Sequence, residues 1–241
     1  MTAPLRSLRF RVLTAAALAG IALTASLGFW QLSRAGQKIA LQQKMEARLQ
    51  MPPLDGPTLA SANASDTLMH RRVVLRGTWL ARKTVFLENR QMGGKPGFFV
   101  VTPLRLENAG AVVVVQRGWV QRNFTDRVQL PVVVTDAAPV QVEGRIAPPP
   151  SKLYEFSRVD QGVIRQNLDM QGYAAEIGVS LLPVSVLQTG AGSDGLQRDW
   201  PPVLTGVEKH YGYAFQWFAL AALITILYVW FQIVRRVATP R

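Results

Sequence analysis

Two uncharged apolar stretches bracket this chain and constrain its fold more than anything between them. Residues 12–30 and 211–234 contain no Asp, Glu, Lys or Arg. At 1.5 Å per residue the first makes a helix about 28 Å long, close to the hydrocarbon thickness of a bilayer. The second is longer and carries Tyr211, Tyr213, Phe215 and Trp217 at one end and Tyr228, Trp230 and Phe231 at the other. Aromatic belts of this kind mark two water interfaces. All 15 acidic residues lie between Glu46 and Glu208. The expected product is a membrane protein with one extramembrane domain.

Orientation follows from the basic residues. Arg6, Arg9 and Arg11 precede the first stretch and Arg235, Arg236 and Arg241 follow the second, with no acid in either tail, so both tails are expected in the cytoplasm. Those six arginines carry much of the net charge of +12, which leaves a moderate basic excess between the stretches and no indication of nucleic-acid binding. The alternative for the first stretch is a cleaved signal peptide with Ala25 near the cleavage site. Its apolar run exceeds the usual h-region of about 7 to 15 residues. Zero cysteines exclude disulfides, CxxC redox pairs, thiolate metal sites and covalent haem attachment within the chain.

The chain divides into a cytoplasmic basic tail (1–11), transmembrane helix 1 (12–30), an amphipathic helical extension (31–50), a linker (51–71), an antiparallel β domain (72–200), a second linker (201–210), transmembrane helix 2 (211–234) and a basic tail (235–241). Leu32, Ile39, Leu41, Met45 and Leu49 give the extension its apolar face, and Met51-Pro52-Pro53 ends it. Short β-branched runs follow at 72–79, 85–87, 98–106, 112–120, 132–135 and 140–146. Gly93-Gly94-Lys95-Pro96-Gly97 and Glu107-Asn108-Ala109-Gly110 supply tight connections. No helix of crossover length separates these runs, so a mainly antiparallel α+β domain, a small barrel or sandwich, is expected between the two transmembrane helices. Asp169 caps a short helix ending near Gly178. A last strand, 181–188, is expected at an edge, because Pro183 cannot donate to a ladder.

Candidate chemistry is sparse. Gly190 to Gly195 fits GxGxxG, but Leu196 to Trp200 and two prolines follow instead of a helix that could hold pyrophosphate, so the segment reads as a surface loop. No HExxH, GxSxG or Walker pattern occurs, and no spacing marks a nucleophile with its base, so no enzymatic activity is expected. Of two histidines, His70 follows Asp66 and precedes Arg71 and Arg72, the setting of a surface residue. His210 stands at the outer mouth of the second span, with Tyr213, Ala214, Trp217, Ala221, Ile224 and Tyr228 in one helical stripe below it. An imidazole above such a stripe suits a flat apolar macrocycle: nitrogen can ligate iron, alanines leave room, rings offer contact area, and Arg34 or Lys209 can pair with propionates. A hydrated interfacial histidine above an ordinary aromatic belt fits the same spacing. In the first span Ala16, Gly20, Thr24 and Gly28 recur every four residues, which lets the second span or a partner helix approach closely. Gln31 and Gln216 lie near the same outer interface and can bond each other, a partner or water.

Five segments together resemble a known family. Gly28-Phe29-Trp30-Gln31-Leu32-Ser33-Arg34, Gly97-Phe98-Phe99-Val100-Val101-Thr102-Pro103-Leu104, Arg117-Gly118-Trp119-Val120, Val142-Glu143-Gly144-Arg145-Ile146 and His210-Tyr211-Gly212-Tyr213-Ala214-Phe215-Gln216-Trp217-Phe218 occur in the order and membrane placement of the surfeit-locus-one family of cytochrome c oxidase assembly factors. Departures from the family pattern fall at Gln116, at Glu208-Lys209 and in 165–169. The resemblance implies a bacterial inner-membrane protein with its central domain in the periplasm. Its implied task is to bind haem a and assist its insertion into the catalytic subunit of a haem-copper oxidase, with haem a synthase as a further partner. It also implies His210 as iron ligand, beside the haem contacts that the stripe and its neighbouring cation offer, Tyr213, Ala214, Trp217 and Arg34. A scaffold that stabilises the oxidase subunit without holding haem is the alternative.

Overall fold

The computed structural model describes residues 3–62, 67–123, 130–153, 162–190, 192, 194–200 and 206–234, and the side chains among them except those of 3–7 and 233. Asp66, Ala191, Ser193, residues 201–205, the Arg6 side chain and the tail 235–241 lie outside that description. In chain order the elements are α1 (Ala3–Gln50), α2 (Gly56–Ser61), β1 (Arg72–Trp79), β2 (Val85–Met92), β3 (Lys95–Leu106), β4 (Val112–Gln121), β5 (Val140–Ala147), β6 (Ile164–Arg165), α3 (Met170–Ile177), β7 (Leu181–Gln188) and α4 (Val207–Val229), whose end widens into a π-helical turn, Trp230–Val234. They form two compact units, Met1–Lys44 with Pro202–Arg241, and Met45–Pro201.

In the helical unit, α1 and α4 are each long and apolar enough to cross a membrane, over Leu8–Gln50 and Val207–Gln232. Only 11% of the most apolar window of each is buried against protein, so neither is the core helix of a soluble fold. Leu18, Leu23, Phe215 and Ile226 are among the apolar side chains left facing outward. Such surface is stable when lipid covers it.

The second unit is a closed barrel. Its strands run β1-β5-β7-β4-β3, and β3 pairs again with β1 through Gly77 to Trp79 and closes the ring. β2 lies outside the ring on β3, and β6 adds to β2 in parallel. The β-rich expectation holds, with one refinement. Four of the five ring contacts are antiparallel, and β4–β7 is parallel. Parity requires this, because strands around a ring of odd number cannot all alternate in direction. Leu75, Leu104, Val113, Val142, Ile146 and Val186 are essentially fully buried in the main core cluster. Burying each such side chain contributes about 1.5–3 kcal/mol.

Two strand expectations are corrected. β7 is not an edge but lies between β5 and β4. Pro183 is tolerated because the β5 ladder begins only at Ser185, and the β4 ladder shifts register between Val112 and Val114. Residues 132–135 join no ladder among the described residues. The Arg117 guanidinium, which donates to the Val134 carbonyl at 2.8 Å and to Thr135 Oγ1 at 2.6 Å, takes the place of a strand neighbour.

Other local readings stand. The Asp169 carboxylate accepts from Gly172 N at 2.8 Å and starts α3, and Gly178 ends it at φ +69°. Tyr173 of α3 is buried and donates its hydroxyl proton to the Lys83 carbonyl. Burial pushes that phenol well above its ordinary pKa.

Candidate functional site

The helical unit owes its pairing to small residues. A Cβ at position 28 of α1 would fall 2.7 Å from the Phe218 ring of α4, and one at position 20 would fall 3.5 Å from Ile224 Cδ1. Further along, Thr14 Oγ1 and the Tyr228 hydroxyl lie 2.8 Å apart. The helices therefore run antiparallel, with 14 beside 228, 20 beside 224 and 28 beside 218. Of the four small residues in the first span, Gly20, Thr24 and Gly28 face α4, and Ala16 is exposed. The Thr24 hydroxyl returns its proton to the Gly20 carbonyl at 2.8 Å, so this hydroxyl is not stranded in the seam.

That register brings Gln31 to His210. Gln31 Oε1 lies 2.7 Å from His210 Nδ1, across 179 residues of sequence. An amide oxygen can only accept, so Nδ1 donates here, and in the neutral form of the ring Nε2 keeps its lone pair. That is the tautomer an imidazole needs to ligate a metal through Nε2. Gln216, the other amide expected near this interface, is exposed.

Beside His210 opens a cavity of about 510 Å³ lined by Arg34, Gln37, Lys38, Leu41 and the imidazole. Arg34 donates to Gln37 Oε1 at 3.1 Å, and its guanidinium carbon lies 5.8 Å from the centre of the Trp30 ring. Trp30 and Tyr213 are each 52% exposed. Trp217 is half-buried, and Ala214 is only 2% exposed, on the face of α4 where the stripe packs. Lys209 is exposed and is not among the cavity's lining residues. The structure thus gathers His210 and Arg34 around one opening. It adds Lys38, a residue the sequence reading overlooked even though Gln31, Arg34 and Lys38 share helical spacing.

This donor set fits haem as a cargo. One imidazole nitrogen would offer a bond to iron, two cations beside it would suit carboxylates, and exposed rings nearby would offer flat apolar contact.

In the β-rich unit, His70 is half-buried at φ +69°, with its backbone N–H on the Ile146 carbonyl at 2.9 Å. It is less exposed than a surface histidine, and its Nδ1 has no partner among the described residues. Burial first, then Arg145 and Arg48, lower its pKa. The glycine-rich segment before Leu196 serves an ion pair: Asp194 binds Arg117 at 3.1 Å and Arg198 at 2.7 Å, all nearly buried. Arg117 also lies over Trp79, 4.8 Å from the ring centre. A cavity of about 370 Å³ opens beside this cluster, lined also by Gln141, Glu143 and Gln188. The Arg117-Gly118-Trp119 motif is architectural: Trp119 is 1% exposed, its indole N–H donates to the Arg90 carbonyl, and its backbone exchanges two hydrogen bonds with Gln197.

Residues 18–222 match the model of the SURF1 family. A SURF1-like protein of Rickettsia felis is 27% identical over 215 residues, 85% of this chain and 89% of its own length. The cytochrome oxidase assembly protein SHY1 of Saccharomyces cerevisiae is 30% identical over 94 residues, 39% of this chain and 24% of the yeast protein. Surfeit locus protein 1 of Arabidopsis thaliana is 32% identical over 121 residues, 45% of this chain and 33% of the plant protein.

Proposed function

Because this chain belongs to the SURF1 family, we propose that it serves the assembly of cytochrome c oxidase by holding haem a at His210 and passing it to the catalytic subunit. The observation that carries this function is the His210 imidazole, its Nδ1 on Gln31 Oε1, beside a cavity that Arg34 and Lys38 line. A relative named for cytochrome oxidase assembly supports the wider role.

Each residue has a task in this function. His210 would hold the iron through Nε2, a bond that can be exchanged without breaking a covalent attachment. Arg34 and Lys38 pair with the propionate carboxylates. Trp30 and Tyr213 flank the macrocycle with ring surface, while the face of α4 bearing Ala214 keeps the helices together. Haem a supplies its iron and redox chemistry to the oxidase, and this chain catalyses no bond change of its own. The arginine-rich tails favour an orientation with both termini in the cytoplasm, and in this scheme the barrel stands on the periplasmic side of the inner membrane. The donor in this scheme is haem a synthase.

A complementation experiment tests the role. In a strain lacking this gene, whole-membrane difference spectra should lose most of the oxidase haem a signal, the wild-type gene should restore it, and His210→Ala should restore markedly less. Full restoration by His210→Ala would favour a scaffold that never holds haem.

A further inference from the structure

We propose that Gln31 is a positioning residue for the haem ligand: its side-chain carbonyl, on the first span, fixes the tautomer and ring orientation of His210 on the second. The inference rests on His210 ligating iron, and it adds how that ligand is prepared. His210 Nδ1 lies 2.7 Å from Gln31 Oε1. In water an imidazole exchanges freely between its two neutral forms and rotates about its side-chain bonds. Here, with the ring half-buried and Nδ1–H engaged, Nε2 is held as the unprotonated nitrogen before any cargo arrives. A hydrogen bond from the far side of a ligating histidine also raises its basicity, and losing such a partner typically costs about 10- to 100-fold in affinity.

The bond also ties ligand geometry to the register of the two helices. Gln31 reaches His210 because Gly28 lets Phe218 into the seam one turn below. Gln31→Leu removes the acceptor while keeping a side chain of similar volume. Glutamate keeps an acceptor and makes it anionic.

Two measurements on the full chain in detergent test this. With only two histidines, nitrogen-15 spectra of the haem-free protein resolve each ring. His210 should carry its proton on Nδ1 in wild type, and Gln31→Leu should move the population toward the Nε2–H form. A wild-type His210 protonated on Nε2 would overturn the proposal without touching the haem reading. In protein purified from cells making haem a, Gln31→Leu should lower affinity about 10- to 100-fold and raise the reduction potential of the bound haem, and Gln31→Glu should retain haem at a lowered potential. Unchanged affinity and potential in both variants, while His210→Ala loses haem, would refute the positioning role alone. Wild-type protein that binds no haem would overturn both proposals.

Discussion

Gly28 and Phe218 occupy one space: the phenylalanine ring on the second long helix lies 2.7 Å from where any Cβ at position 28 would be. Without a hydrophobic driving force between helices in lipid, close packing of this kind and the Thr14–Tyr228 hydrogen bond are what hold the pair in register. Gly28→Leu should separate the helices. The chain has no cysteine of its own, so a Thr14→Cys, Tyr228→Cys double variant reports the pairing without background. A short bifunctional maleimide, spanning the space the tyrosine ring vacates, should join these positions in the double variant and fail to do so once Gly28→Leu is added. Equal cross-linking in both would show that the seam tolerates the added side chain.

Asp194 is the only carboxylate among the described residues that pairs with Arg117 and Arg198, and all three side chains are at most 10% exposed. Removing it leaves two cations facing each other out of water, which is expected to cost about 3–5 kcal/mol. Asp194→Ala should therefore lower the urea midpoint of the tryptophan fluorescence transition sharply, with Asp194→Asn intermediate. A midpoint within experimental error of wild type would mean that water, not Asp194, compensates these guanidinium groups.

Acid should loosen the barrel through His70. Its folded-state pKa lies below the ordinary 6.5, so the unfolded chain binds that proton more readily. Unfolding then takes up a proton, and the stability present above about pH 6.5 is lost as pH falls below it. Asn tolerates the positive φ at this position and does not titrate. His70→Asn should reduce the fall in urea midpoint between pH 7.5 and 5.5. An unchanged fall would assign the acid sensitivity to other groups.

Much of this architecture is legible in local sequence because local chemistry decides it. Asp169 and Gly178 bound their helix by rules that act within one turn. What escapes local reading depends on partners distant in the chain. The β4–β7 parallel pair follows from closing a ring of five, a count no single strand contains. Residues 132–135 have β-strand composition, but Arg117 binds them instead of a neighbouring strand. Gly118 marks a motif whose purpose the sequence hides: a Cβ there would meet Leu196 Cβ at 2.7 Å and the Gln197 carbonyl at 2.8 Å, so the residue admits a distant segment against β4. The site divides the same way. His210 and Arg34 stand out by position in the chain, whereas the Gln31 bond emerges only when both helices are in register.

The absorption spectrum of the purified protein decides whether His210 holds haem. Wild-type protein isolated from cells that make haem a should carry it in stoichiometric amount, with a resolved Soret band. His210→Ala, isolated alongside at equal yield and fold, should lose most of that band. Wild type that comes off the column colourless, or a variant that binds as much haem with the same spectrum, would contradict a ligand role for His210.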